Sequence, residues 1–143
     1  DLGKAYEPPA RVFKINSRQY FVQNNPSGIP ALYRQDGGTA AVELVEGVED
    51  MQVLYGEYTA NPPDPKKSKW TPSIYRKASD VVNWSKVLSI RIGILVRTLD
   101  NKNQDLDTGT YDVDGDGTAE LTNPNDRFRR RVFQAVVQLR NMQ

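Results

Sequence analysis

The sequence predicts an α+β domain made mainly of antiparallel strands. Two long stretches, near 87–98 and near 131–140, alternate apolar and polar residues as strands with one apolar face do. Two shorter stretches, near 43–50 and 75–82, space their apolar residues as a helical turn does. Nine prolines and ten glycines predict long connections between these elements. A chain of 143 residues predicts one domain, spanning 1–143.

The first elements are predicted to form a β-meander. Three short extended segments run from Val12 to Ile15, from Gln19 to Gln23 and from Ala31 to Gln35. Polar residues separate the first two, and a stretch rich in Asn, Pro and Gly separates the second from the third. Such punctuation is typical of hairpin loops.

The segment 42–58 is predicted to begin as a helical turn and to end as a strand. Apolar residues recur every three positions at Val42, Val45, Val48 and Met51. Gly47 keeps the predicted turn short, because Gly inside a helix costs about 0.5–1 kcal/mol relative to Ala. The stretch 59–73 holds four prolines and is predicted to be a loop.

The two long alternating segments are predicted to pair in one antiparallel sheet. One side of the first strand is apolar and is predicted to face the core; it consists of Leu88, Ile90, Ile92, Ile94 and Val96. The last segment repeats this alternation with Phe133, Ala135, Val137 and Leu139. The polar residues 100–126 lie between the two strands, and so long an excursion indicates a ligand, a function or mobility.

Composition excludes several classes of function. Without Cys there are no disulfides and no thiol nucleophiles, and without His there is no Ser–His pair and no ordinary zinc site. An enzyme, such as a glycosidase, would depend on carboxylates or Lys, and no suitable pair is evident. We therefore expect a non-enzymatic protein. A net charge of +1 gives no overall attraction to nucleic acid, so no nucleic acid is expected as a partner.

One aspartate-rich loop matches the first half of an EF-hand calcium loop. Asp112, Asp114 and Asp116 take positions 1, 3 and 5, while the Thr118 carbonyl and Glu120 take positions 7 and 9. Position 12 is Asn123 rather than the usual Glu, so the predicted affinity is weak, about 10⁻⁴–10⁻³ M. The alternative is a hairpin whose Asp-Gly turns leave solvated aspartates. No other cofactor is expected.

Charged clusters are candidates for contacts with a partner. The basic cluster consists of Arg127, Arg129, Arg130 and Arg131. The acidic candidates are Glu46, Glu49 and Asp50, and Trp70 is a candidate contact residue in the proline-rich loop. The alternative for the acidic residues is a solvated face. The alternative for the arginines is a strand start with charged flanks, which also discourage edge-to-edge aggregation. Nucleic-acid binding is disfavoured because the net charge gives it no support and Phe128 is the only aromatic residue among the arginines, where a single-strand groove has a series of exposed stacking platforms.

Four stretches, in a fixed order, match a known family. They are Ala31-Leu32-Tyr33-Arg34; Glu46-Gly47-Val48-Glu49-Asp50-Met51-Gln52-Val53 with Tyr55-Gly56; Trp84 with Val87, Ser89-Ile90-Arg91-Ile92 and Leu95-Val96-Arg97; and Asp126-Arg127 with Arg129-Arg130-Arg131-Val132-Phe133 and Leu139-Arg140-Asn141. Together they resemble the C-terminal part of the PilW family, minor pilins of bacterial type IV pili. A similar arrangement occurs in minor pseudopilins of type II secretion systems.

The resemblance implies a pilin-like globular head whose N-terminal hydrophobic helix is missing from this chain. It implies a minor pilin that takes part in priming pilus assembly and sits near the pilus tip. The implied partners are other minor pilins, the major pilin, a pilus-tip adhesin and, through the missing helix, the inner membrane. The head would be periplasmic before assembly and extracellular afterwards. The alternatives are a minor pseudopilin and a calcium-dependent adhesive module.

Overall fold

The strands in the described part of the chain form three antiparallel sheets. A computed structural model describes residues 13–59 and 71–139. The strands in chain order are β1 (Arg18–Asn24), β2 (Pro30–Asp36), β3 (Val42–Glu46), β4 (Val48–Glu57), β5 (Ile74–Arg76), β6 (Val87–Arg97), β7 (Thr110–Tyr111), β8 (Leu121–Thr122) and β9 (Arg130–Gln138). The sheets have the orders β1-β2-β3, β5-β4-β6-β9 and β7-β8.

The predicted meander is confirmed in its second and third segments. β1 pairs with β2, and the rings of Phe21 and Tyr33 stack across them at 5.9 Å between centroids. The first predicted segment is wrong within the described residues. Positions 13–17 form no strand, and Phe13 and Ile15 are exposed because no neighbouring strand covers them.

The predicted helical turn at 43–50 is wrong. That segment is the end of β3 and the start of β4, with Gly47 between them at φ +79°. The N–H of Gly47 donates to the carbonyl of Pro30, and its own carbonyl accepts from the N–H of Arg97. Gly47 thus joins the first two sheets, and a Cβ there would stand 2.6 Å from the Arg97 carbonyl oxygen. The hydrogen bonds that join β3 to β2 and β4 to β6 therefore outweigh the helical tendency that the spacing of the apolar residues indicates.

The long strands predicted near 87–98 and 131–140 are confirmed as β6 and β9. They pair antiparallel, with Ile92 opposite Ala135, and β6 also pairs with β4, with Ile92 opposite Val53. The second predicted helical turn is smaller than expected. Within 75–82 the structure has the end of β5 and a 3-10 turn, Ala78–Asp80, and a second 3-10 turn follows at Trp84–Lys86. The mainly antiparallel class is confirmed, but the described residues contain no α-helix.

The two faces of the four-stranded sheet differ in what covers them. Directly opposed residues share a face, so the register defines one apolar face. We call this set the apolar face: Met51, Val53, Tyr55, Ile90, Ile92, Ile94, Phe133, Ala135 and Val137. No member of this set is fully buried, and Phe133 and Val137 are 49% and 50% exposed. The described chain therefore covers this predicted apolar side of the strands only in part.

The opposite face of the sheet is the buried one. Leu54 and Leu95 are buried there, and Val113, in the segment that links β6 to β9, is buried against Gly93 on the same face. That segment contains the β7-β8 hairpin and a bridge between Asp107 and Asp126. In the described ranges, no helix is long and apolar enough to span a membrane.

Candidate docking face and candidate cation site

The β7-β8 hairpin gathers the acidic residues that the sequence predicts as ligands. Asp112, Asp114, Asp116 and Glu120 each offer a carboxylate oxygen, and these four oxygens lie within 4.8 Å of one another. Thr110 pairs with Thr122 and Tyr111 with Leu121, so the strand pairing closes the loop at its base. The sequence left open whether this segment is a calcium-type loop or a hairpin. The structure has a feature of each, because the segment is a hairpin and its carboxylates also converge.

Backbone N–H groups hold each of these carboxylates in place. Asp112 accepts from Gly115 at 2.6 Å and from Gly117 at 2.9 Å. Oδ1 of Asp114 accepts from the N–H of Asp116 at 3.0 Å. The remaining two follow the same pattern: Asp116 accepts from the N–H of Thr118, and Glu120 accepts from the N–H of Val113. The carboxylates are thus oriented by the chain itself.

The hairpin is fixed to the buried face of the sheet. Arg91 donates from Nη1 to the carbonyl of Gly115 at 2.8 Å, and Gln134 donates from Nε2 to the carbonyl of Val113 at 3.1 Å. Gly93 lies directly opposite Gln134 and two residues from Arg91 along β6, and it has no Cβ to keep the loop away. The acidic loop is therefore part of the folded core rather than a free excursion.

The fold divides the predicted basic cluster, because Arg130 lies inside the chain and not on a surface where a partner could bind it. Its side chain is only 3% exposed and forms ion pairs with Glu49 at 2.5 Å, Asp126 at 2.7 Å and Asp107 at 2.9 Å. Glu49 also pairs with Arg97 at 2.9 Å. Alternation along β9 turns Arg130 inward, so Arg130 and Glu49 are engaged with each other inside the chain and are not presented to a partner.

The ionic network shifts the ionisation of its members. The hydrogen bond to Asp126 is the largest cause that raises the pKa of Arg130, so its charge is permanent. The hydrogen bond from Arg130 lowers the pKa of Asp126 against the effect of burial. Burial alone would raise the pKa of Asp107, but bonds from the Gly109 N–H, Arg130 and Tyr111 outweigh it and lower the pKa. Burial, followed by the bond to Asp107, raises the pKa of Tyr111 to about 12.

The other three arginines of the cluster lie on the surface. Arg127 donates to the carbonyls of Asn103 and Gln104, and Arg129 donates from Nε to Oδ1 of Asn103 at 2.9 Å. Arg131 is exposed at the end of the apolar face, with its guanidinium 5.2 Å from the centre of the Phe133 ring. None of the three forms an ion pair among the described residues.

The remaining predicted contact residues are not brought together. Glu46 is exposed on β3 and accepts from Nδ2 of Asn25 at 2.9 Å. Asp50 is half-buried on β4 and accepts from Gln52 and from the N–H of Met51. Trp70 lies outside the described residues. Thus the acidic residues form no continuous surface with the arginines.

Sequence reasoning did not identify Asp107 and Tyr111 as members of the ionic network. The hydroxyl of Tyr111 donates to Asp107 at 2.8 Å, and Asp107 pairs in turn with Arg130. The only signal was the length of the excursion between β6 and β9. Trp84 begins the 3-10 turn that precedes β6. It is 52% exposed and makes an edgewise contact with Tyr55 on the apolar face.

One protein-family model matches most of the chain. A family model described as PilW, type IV pilus-assembly protein W, matches residues 19–141. No curated protein and no solved structure gives a significant match to the chain. The family match covers the two larger sheets, the acidic hairpin and the ionic network. The chain belongs to the family of type IV pilus-assembly protein W.

Proposed function

We propose that this chain is the globular head of a minor pilin that helps to prime type IV pilus assembly and stays near the pilus tip. It acts by docking, without catalysis. Its partners are other minor pilins and the major pilin, and a tip adhesin is a further candidate. Its head is periplasmic before assembly and extracellular afterwards. The family match supports a role in pilus assembly over one in a secretion system.

The apolar face supports this proposal most directly. Three neighbouring strands each contribute three apolar residues to it, and no charged residue lies among the nine. A folded protein normally buries such a continuous set, because each buried apolar side chain contributes about 1.5–3 kcal/mol. Its partial exposure at Phe133 and Val137 indicates that another element covers it.

The dimensions of the apolar face fit a single helix. Three strands span about 10 Å in the hydrogen-bonding direction, since neighbouring strands lie about 4.8 Å apart. An α-helix with its side chains is about 10–12 Å wide. We assign the face to the hydrophobic N-terminal helix of the minor pilin. That helix anchors the protein in the inner membrane before assembly and packs among other pilin helices afterwards.

Adjacent residues on β9 allow a matched test of the docking face. Val137 and Val136 are 50% and 57% exposed, and strand alternation places them on opposite sides of the sheet. Each valine is replaced by Lys in a separate variant of the full-length protein. Each variant is produced in cells whose own copy of the gene has been deleted. Val137→Lys is expected to reduce surface pili strongly, because the interface would bury a charge. Val136→Lys is expected to leave pili at the native level.

The readout is the amount of pilin sheared from the cell surface, with the amount of each variant in the cell as the control. Equal piliation by the two variants at equal protein levels would contradict the assignment of the apolar face. A loss of pili with Val136→Lys alone would contradict it as well.

A further inference from the structure

We propose that the β7-β8 hairpin binds one calcium ion through Asp112, Asp114, Asp116 and Glu120. This inference does not depend on the pilus role. It rests on two independent observations. The four side chains each present an oxygen within 4.8 Å of the others, and one of the side chains, that of Asp114, has a buried oxygen with no partner in the described chain.

The unpartnered atom is Oδ2 of Asp114. Asp114 is 1% exposed, yet this oxygen has no hydrogen-bond donor in the described chain. A buried polar atom without a partner costs about 1–3 kcal/mol, and a charged one costs more. Because Oδ1 of the same carboxylate is held by the N–H of Asp116, the side chain cannot turn away without breaking that bond. The buried carboxylate of Asp114 therefore lacks a positively charged partner.

No positive side chain among residues 13–59 and 71–139 fills that role. Among the described residues, no ion pair joins any of the four carboxylates to a Lys or Arg. Arg91 is the nearby cation that contacts the loop, and its Nη1 donates to backbone carbonyls, at 2.8 Å to that of Gly115. Like charges this close repel one another strongly unless a counter-ion separates them. A bound cation would remove this repulsion.

The donor set favours calcium over other metals. All four groups are carboxylates, which are hard oxygen ligands, and a sequence without His or Cys offers no nitrogen or sulfur ligands of the kind zinc prefers. The backbone N–H bonds leave lone pairs on these carboxylates, since each carboxylate has about four acceptor sites. Calcium accepts irregular geometry and completes its shell with water or a carbonyl, here that of Thr118, whereas magnesium requires a near-ideal octahedron.

Calcium binding would also fix the position of the hairpin on the sheet. The loop that holds the carboxylates lies directly over Gly93 and is bonded to Arg91 and Gln134. Asn123 occupies the position where a strong site has a bidentate Glu, so the expected affinity is about 10⁻⁴–10⁻³ M. That range suits extracellular calcium.

Calorimetric titration of the chelator-treated chain with CaCl₂ tests the site. The native chain is expected to bind one equivalent, with a dissociation constant of about 10⁻⁴–10⁻³ M, and to bind magnesium at least about tenfold more weakly. Its melting temperature should rise by several degrees at about 10 mM calcium, because a ligand that binds only the folded state stabilises it. No binding heat and no calcium-dependent shift would overturn the proposal.

Two variants and one control make the assignment specific. Asp114→Asn and Asp116→Asn are each expected to abolish binding, whereas Asp105→Asn, an exposed residue outside the cluster, keeps it. Without calcium, Asp114→Asn should melt no lower than the native chain, because it removes an uncompensated buried charge. Undiminished calcium binding by both cluster variants would refute the site.

Discussion

Gly93 lies directly beneath the carbonyl group of Val113, so close that a Cβ at position 93 would stand 1.7 Å from that oxygen. The strand β6 and the acidic hairpin therefore meet backbone to backbone. This contact explains why the side of β6 that is more polar in the sequence is the buried one. It also leaves the apolar face on the outside of the described structure.

Replacing Gly93 with Ala is expected to destabilise the fold by about 3 kcal/mol or more, at the upper end of overpacking effects. The obstacle is a backbone oxygen, which cannot rotate away. Urea unfolding measures this loss. The control is Gly28→Ala, where nothing lies within 4 Å of the added Cβ and only the left-handed backbone, about 1–2 kcal/mol, opposes the change. An equal loss in both variants would refute the close contact.

Replacing Arg130 with Met is expected to cost about 3–5 kcal/mol, because it leaves Asp107 and Asp126 without their buried counter-charge and leaves Glu49 with Arg97 alone. Arg129→Met, on the exposed side, should cost less than about 1 kcal/mol. Chemical unfolding of the two variants gives the comparison. Similar small losses would show that Arg130 is not the centre of the network.

The network predicts a loss of stability in acid. The pKa values of Asp107 and Asp126 are lower in the folded state than their ordinary value of 3.8. Their contribution is therefore complete above that value and disappears as the pH falls through the folded-state pKa values. The free energy of unfolding, measured with chelator present between pH 6 and pH 2, should fall steeply below about pH 4.

The Arg130→Met variant serves as the reference for that measurement. It removes the main cause of the lowered pKa of Asp126 and one cause at Asp107, so its stability should depend less on acid. Parallel curves for the native chain and the variant would contradict the assignment.

Reversing the exposed charges at Arg129 and Arg131 to Glu is expected to weaken binding to partner pilins, because arginine forks pair well with carboxylates. Co-purification from cells expressing the other pilins measures this. Arg18→Glu, an exposed arginine on the first sheet, is the matched control. Unchanged recovery of partners with the double reversal would show that these arginines are not contact residues.

Alternation along the chain predicted the central sheet well. β6 and β9 were evident because an apolar residue at every second position, sustained along a whole strand, is the period of an extended chain and not of a helix. The prediction of a helical turn at 43–50 was wrong because a spacing of three between apolar residues also arises where two strands, here β3 and β4, meet at a glycine. Gly47 at φ +79° makes that junction, and its pairing partners are distant in sequence.

The candidate cation site was predictable because its ligands lie within one short loop. The Arg130 network was not predictable from the sequence. Its carboxylates, Glu49, Asp107 and Asp126, come from three separate parts of the chain, and no spacing rule relates them. Alternation shows that one side of a strand is apolar, but only the fold shows which side the rest of the chain covers.

Maleimide labelling of single cysteines tests the docking assignment most directly, since the chain has no cysteine of its own. Val137→Cys and Val136→Cys are compared in the protein produced from its complete gene in native cells. We predict that Cys at 137 is protected by the covering helix, while Cys at 136, next to it on the other face, reacts freely. Rapid labelling at 137, equal to that at 136, would contradict the docking assignment.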